Sequence, residues 1–298
     1  MTVAKKRIIP AGMTDIDPRT NPYRADIAAA YLQGRVTAAK FVPPVAKAVI
    51  AGNAPLRREP RDNAPLDTEL QFGERVEIYE DKEGWSWLQS MTDGYVGYTP
   101  SDMLGDTPAA PTHTLNVLRS YLFKEPDLKT PPRTVLSMTA TVTILEKMNG
   151  YCALAGGGWV YARHLVSARD FETDLVTVAH RFLGTPYLWG GKSSIGLDCS
   201  ALVQLSLARC GLSVPRDTGM QENAIGNPVE FRGDEDIFER GDLVYWPGHV
   251  GIWIDADRFI HANATDMMVA IVPLRDVATS IEDATGDTIR SVRRPVLP

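Results

Sequence analysis

Short runs of alternating apolar and polar residues mark the first half of the chain. Val76 and Ile78, Trp85 and Trp87, and Val142 and Ile144 each flank a single polar position. A period of two lays one face of a strand on a core and the other in water. Residues 44–106 and 112–168 are therefore expected to form two small β-barrels, with Pro108, Ala109, Ala110 and Pro111 as the linker between them. The two stretches also repeat. Arg58-Glu59-Pro60, Val76 and Gly84-Trp85 return as Lys124-Glu125-Pro126, Val142 and Gly150-Tyr151 at a constant offset of 66 residues. Gly94-Tyr95-Val96 then answers to Gly158-Trp159-Val160, which implies a two-residue deletion in the second copy. Ahead of the repeats, Ala25 to Gly34 reads as a short helix ending at a glycine, so residues 1–43 are expected to form an N-terminal helical segment.

The pattern changes after residue 170. Apolar positions 202, 203, 205, 207 and 208 suit a mostly buried helix that starts at Cys199 and is closed by Gly211, with Asp198 as its N-cap. A second helix is expected from Thr173 to Leu183, capped by Gly184. Asp242–Trp246, Val250–Ile254 and Arg258–Ile260 read as three strands, the first two joined at Pro247-Gly248. Residues 170–298 are thus an α+β domain.

A length of 298 residues calls for more than one domain, and 44% hydrophobic with 23% charged residues is ordinary for folded protein. The net charge of −6, without a basic stripe, argues against nucleic acid or an anionic membrane as partner. Three irregularly spaced cysteines form neither a disulfide framework nor a zinc pattern, so no metal or other cofactor is expected. Met1 to Pro10 has a basic start but no apolar core of a secretion signal, and no stretch reaches transmembrane length. A cytoplasmic monomer is the expectation.

Cys199 is the residue with chemistry. A thiol attacks as thiolate and needs a cation or positive dipole nearby; a helix N-terminus supplies the dipole. Gly190, Gly191 and Gly196 lead into that helix and allow a substrate chain to lie against the backbone. His249 sits at a hairpin edge and His261 ends the next strand, so neighbouring strands can present two imidazoles side by side. A nucleophile, a base and a group that orients the base make a thiol-protease triad. Cys152 and Cys210 read as small core residues, and His113, His164 and His180 receive no role.

Tyr187-x-Trp189-Gly190-Gly191, Gly196-x-Asp198-Cys199-Ser200, Pro215-Arg216-Asp217-Thr218, Gly241-Asp242-Leu243, His249-Val250-Gly251-Ile252 and His261-Ala262 together resemble the NlpC-type cell-wall peptidases, which are papain-like cysteine peptidases. Many relatives carry glycine where this chain has Ala201. The likeness implies a papain-like domain over 170–298 with Cys199 as nucleophile, His249 as base and His261 as third member. The repeats resemble bacterial SH3-like domains. Relatives that combine the two cut the bond between γ-D-glutamate and a diamino acid in free murein peptides, and often require an unblocked N-terminal L-Ala. Positions matching their amine pocket are Tyr187, Asp198, Ser200 and Asp217. A tyrosine of the 93–98 loop, Tyr95 or Tyr98, is the candidate for closing the cleft. Rival readings are an endopeptidase that remodels intact peptidoglycan and a non-catalytic cell-wall binding protein.

Overall fold

The computed structural model describes residues 16–233 and 237–298; the basic Met1–Pro10 start lies outside the described residues. The helix expected over Ala25–Gly34 does not form. β1 (Ala28–Ala29) instead pairs in parallel with β2 (Phe41–Val42), and only one 3-10 turn, Ala30–Leu32, follows β1. Ile27, Ala28 and Ala29 are consecutive and all fully buried, against Tyr79 and Trp87 among others. Three successive positions span roughly 200° of a helix, so extended chain buries them together where a surface helix would not.

The period-two pattern becomes β structure as expected. β3 (Val45–Val49), β4 (Asn53–Arg57), β5 (Leu66–Gln71), β6 (Arg75–Lys82), β7 (Trp85–Ser90), β8 (Val96–Pro100) and β9 (Leu104–Gly105) form one antiparallel sheet in the order β5-β4-β8-β7-β6-β3-β9. Val49, Ala54, Leu56, Leu70, Val76 and Leu88 fill its interior. The second unit repeats this plan with β10 (His113–Leu115), β11 (Arg119–Phe123), β12 (Pro132–Ser137), β13 (Thr141–Val142), β14 (Ile144–Met148), β15 (Tyr151–Leu154), β16 (Trp159–Tyr161) and β17 (Leu165–Ser167).

The repeat departs from its expected alignment at one turn. Trp87 pairs with Tyr98 in the first unit and Ala153 with Trp159 in the second. Trp87 and Ala153 are 66 residues apart but Tyr98 and Trp159 only 61, so the β7–β8 turn is five residues longer than its counterpart. Gly97-Tyr98, rather than Gly94-Tyr95, answers to Gly158-Trp159. Two Gly-Tyr pairs stand three residues apart in the first copy, and only strand pairing separates them.

The last domain contains α1 (Leu175–His180), α2 (Cys199–Arg209), α3 (Thr218–Ala224), β18 (Asn227–Val229), β19 (Leu243–Trp246), β20 (His249–Asp255), β21 (Arg258–Asn263), β22 (Met268–Pro273), α4 (Leu274–Thr285) and β23 (Ser291–Arg294). Its sheet runs β18-β23-β19-β20-β21-β22. Leu243 and Tyr245 pack with Val176, Leu202 and Leu205 of α1 and α2, while Val244 and Trp246 pack with Leu274 and Val277 of α4. Alternate residues of β19 thus serve opposite faces, and the sheet lies between helices.

The first unit is fixed to this domain by buried polar contacts. Gln71 donates to the Lys192 carbonyl at 2.7 Å, the Lys192 N–H donates to Glu69 at 2.9 Å, and Arg216 donates to Thr68 at 2.7 Å. The Lys192 ammonium, 2% exposed, lies 3.0 Å from Glu74 and 3.5 Å from Asp93. Gly190 has φ +76°, and a Cβ there would stand 2.6 Å from the Leu66 carbonyl oxygen, so only glycine allows this approach. Among the described residues, no helix is long and apolar enough to cross a membrane.

Candidate active site

Asp198 builds the entrance to α2. Its Oδ1 accepts from Ala201 N–H at 2.9 Å, the N-cap bond that the sequence suggests, and Oδ2 accepts from Gly190 N–H at 3.0 Å. Arg216 grips the same carboxylate with both terminal nitrogens, at 2.9 and 2.6 Å, and the Ser200 hydroxyl adds a fourth partner at 3.1 Å. Asp198 is therefore a structural hub. Ser200 also accepts from Arg216 at 2.7 Å, which commits its hydroxyl to the same network.

Cys199 opens the helix just beyond this hub. Its sulfur lies 3.9 Å from the Gly248 carbonyl, one residue before His249, and its side chain lines a cavity of about 310 Å³. Burial, and then the charge of Asp198, push the thiol up to about 11, against contacts from Val250, Thr218 and Arg216 that favour the thiolate. His249 begins β20 and His261 lies inside β21, two residues short of its end. Nε2 of His249 and Nδ1 of His261 are 2.8 Å apart, which leaves Nδ1 of His249 as the ring nitrogen without this partner. Nε2 of His261 meets the Asn263 amide at 3.0 Å, and Asn263 is held in turn by Asp266. Burial lowers His249 to about 4 and His261 to about 3, so both rings rest neutral at pH 7.

The other candidates separate. Asp217 occupies the N-cap position of α3 yet makes no capping bond; it lines the cavity instead. There Oδ2 accepts from Tyr95 at 3.3 Å and from Arg19 at 2.6 Å. Burial raises the Asp217 pKa, and Arg19, Arg216 and the Tyr95 hydroxyl oppose that rise. Tyr187 lines the same cavity, and burial, followed by the charges of Cys199 and Asp198, raises its hydroxyl. Tyr98 is not at the site. Its hydroxyl accepts from Arg24 at 2.7 Å, and its ring packs against the cluster that holds Ile27 and Trp87, whereas Tyr95 belongs to the cluster inside the first β unit. Tyr95 reaches Asp217 because it belongs to the five extra residues of the β7–β8 turn.

Sequence reasoning passed over Arg216, Arg19, Arg58, Asp67 and Asn263. All but Asn263 line the cavity, with Arg58 bonded to Asp67 at 2.6 Å. Asn263 carried a readable signal, since i, i+2 on a strand shares the face of His261. Arg19 and Arg58 come from chain remote in sequence and gave none. A second cavity, about 400 Å³, opens past His249 and His261 and shares Tyr187 with the first. The histidines without an assigned role lie elsewhere: His164 contacts Ser120, His180 bonds the Val176 carbonyl, and His113 contacts Thr112.

Residues 184–282 match the NlpC/P60 family, and residues 56–104 match the bacterial dipeptidyl-peptidase SH3 domain. Dipeptidyl-peptidase 6 of Lysinibacillus sphaericus is 28% identical over 239 residues, which cover 72% of this chain and 86% of that protein. A γ-D-glutamyl-L-lysine dipeptidyl-peptidase of Bacillus subtilis is 26% identical over 238 residues, 71% of this chain and 77% of the relative. A solved NlpC/P60 family protein from Bacillus cereus has the same fold, with a TM-score of 0.72 at 21% identity over 85% of this chain and all of that one.

Proposed function

We propose that this chain, an NlpC/P60 cysteine peptidase carrying a bacterial dipeptidyl-peptidase SH3 domain, hydrolyses the γ-D-glutamyl–diamino acid bond of free murein peptides that begin with an unblocked L-Ala. The observation that carries this reading is the cavity beside Cys199: Tyr95 of the first β unit meets Asp217 in its wall, a carboxylate whose described hydrogen bonds fall on one oxygen. A carboxylate and hydroxyls that share a cavity with a nucleophile suit an ammonium group two residues from the scissile bond. A wall built by another domain also limits how much chain can extend past that ammonium. The relatives that span both the β unit and the peptidase domain are named as dipeptidyl-peptidases, one of them for γ-D-glutamyl-L-lysine.

In this reading Cys199 Sγ attacks the γ-glutamyl carbonyl carbon as its proton passes to His249. The resting pair is neutral, so the transfer creates both charges together inside a buried site. His261 stabilises and orients the imidazolium through Nε2 of His249. The oxyanion falls to the backbone N–H of Cys199, a first-turn donor with no intrahelical acceptor. His249 then protonates the leaving amine as the C–N bond breaks, which leaves a thioester on Cys199. Water, deprotonated by His249, attacks the thioester; the carboxylate product departs and the thiol recovers its proton.

The test is to incubate the purified protein with free murein tripeptide, its N-acetylated form and whole sacculi. Cleavage of the free tripeptide alone is the expected result; release of peptides from sacculi would favour remodelling of intact peptidoglycan instead.

A further inference from the structure

Arg19 reaches from the N-terminal segment to the peptidase domain, with Nη1 2.6 Å from Oδ2 of Asp217. Asp17 sets its direction. The Asp17 carboxylate accepts from Nε at 3.1 Å, from Nη2 at 2.7 Å and from the Arg19 backbone N–H at 2.9 Å, so one edge of the guanidinium is engaged and Nη1 is left facing Asp217. The other cations at the cavity are committed elsewhere: Arg216 to Asp198 and Arg58 to Asp67. Tyr95 donates to the same Oδ2, while among the described residues no side chain or backbone group donates to Oδ1. One oxygen of Asp217 is held and the other is offered.

We propose that Arg19 is a positioning residue of the amine pocket, which together with Tyr95 holds the Asp217 carboxylate turned so that its other oxygen receives the ammonium of an unblocked N-terminal residue. This rests on the reading that the cavity takes a free α-amine. Burial alone drives Asp217 toward its neutral form, which cannot pair with an ammonium; Arg19 and Arg216 oppose it, and only Arg19 touches the carboxylate. The remaining ionisable groups facing the cavity are Arg58, paired with Asp67, and Tyr95, Tyr187, Asp67, Asp198 and Cys199.

The experiment uses the full chain with Arg19→Met, Arg19→Lys and Asp17→Asn, assayed on L-Ala-γ-D-Glu-L-Lys and its N-acetyl form across pH. Arg19→Met should raise KM for the free tripeptide about five- to tenfold with kcat changed by less than about twofold. The acid limb of kcat/KM should also move to higher pH, because Asp217 then protonates more readily. Arg19→Lys should restore most of the affinity, and Asp17→Asn should fall between. Arg19 is half exposed, so melting temperature should hardly change. Preference of the wild type for the free amine with an unchanged KM in Arg19→Met would overturn the part given to Arg19 alone. A lowered KM would do the same, making Arg19 a competitor for Asp217. Equal cleavage of free and acetylated peptide by the wild type would overturn the amine reading and this role together.

Discussion

Gly251 and His261 face each other so closely that a Cβ on Gly251 would lie 2.8 Å from the Cβ of His261, and 2.3 Å from the Phe259 ring. The missing side chain is what lets the His261 ring stand 2.8 Å behind His249. Gly251→Ala must displace His261 or Phe259 from a packed interior, at about 1–3 kcal/mol of stability. Steady-state kinetics should show at least a tenfold loss of kcat/KM, because orientation of the base decides its efficiency. Wild-type turnover by this variant would mean that the His249–His261 distance is not important for catalysis.

The thiol of Cys199, raised to about 11, should react slowly with iodoacetamide near neutrality. Its labelling, followed by mass spectrometry against a Cys199→Ser control, should climb steadily as pH rises through about 9. A flat profile from acid to alkaline pH would instead reveal a thiolate–imidazolium pair already present without substrate.

His249 and His261 have folded-state pKa values, about 4 and about 3, below the ordinary histidine value. The unfolded chain therefore binds protons first as pH falls. Stability from burying the neutral rings is complete above about pH 6.5 and declines as pH drops toward 4. Thermal melts should show this loss, and His261→Gln should flatten it. Equal acid sensitivity in wild type and variant would assign the effect to other groups.

Lys192 supplies the only cation within 4 Å of both Glu74 and Asp93 among the described residues. Burial already pushes the Glu74 pKa up, and Lys192 counters that rise. Lys192→Met strands two buried carboxylates between the first β unit and the peptidase domain, at a cost of about 3–5 kcal/mol. Urea unfolding should report it. Adding Glu74→Gln and Asp93→Asn should recover part of the loss, since unpaired buried charge is its source.

The helix start at Cys199, the Asp198 cap and the two histidine strands were legible because each follows from local rules: capping chemistry, period and turn residues. The Ala25–Gly34 helix was misread because burial of Ile27, Ala28 and Ala29 against Trp87 is a tertiary fact that alanine-rich composition does not reveal. Choosing between Tyr95 and Tyr98 required strand pairing, as both follow a glycine in one short loop. Arg19 was invisible for a different reason: its partner Asp217 lies 198 residues away, and no local pattern encodes such an encounter.

The five additional residues between β7 and β8 make hairpin length decide what borders the cavity beside Cys199. Two copies of one module sit side by side, and only the copy with the longer hairpin touches Asp217. Shortening that hairpin to the Ala155-Gly156-Gly157 form of its sibling would remove Tyr95 and with it one of the two partners of Asp217 Oδ2. One indel would thus reshape the cavity beside Cys199 while leaving Cys199, His249 and His261 in place.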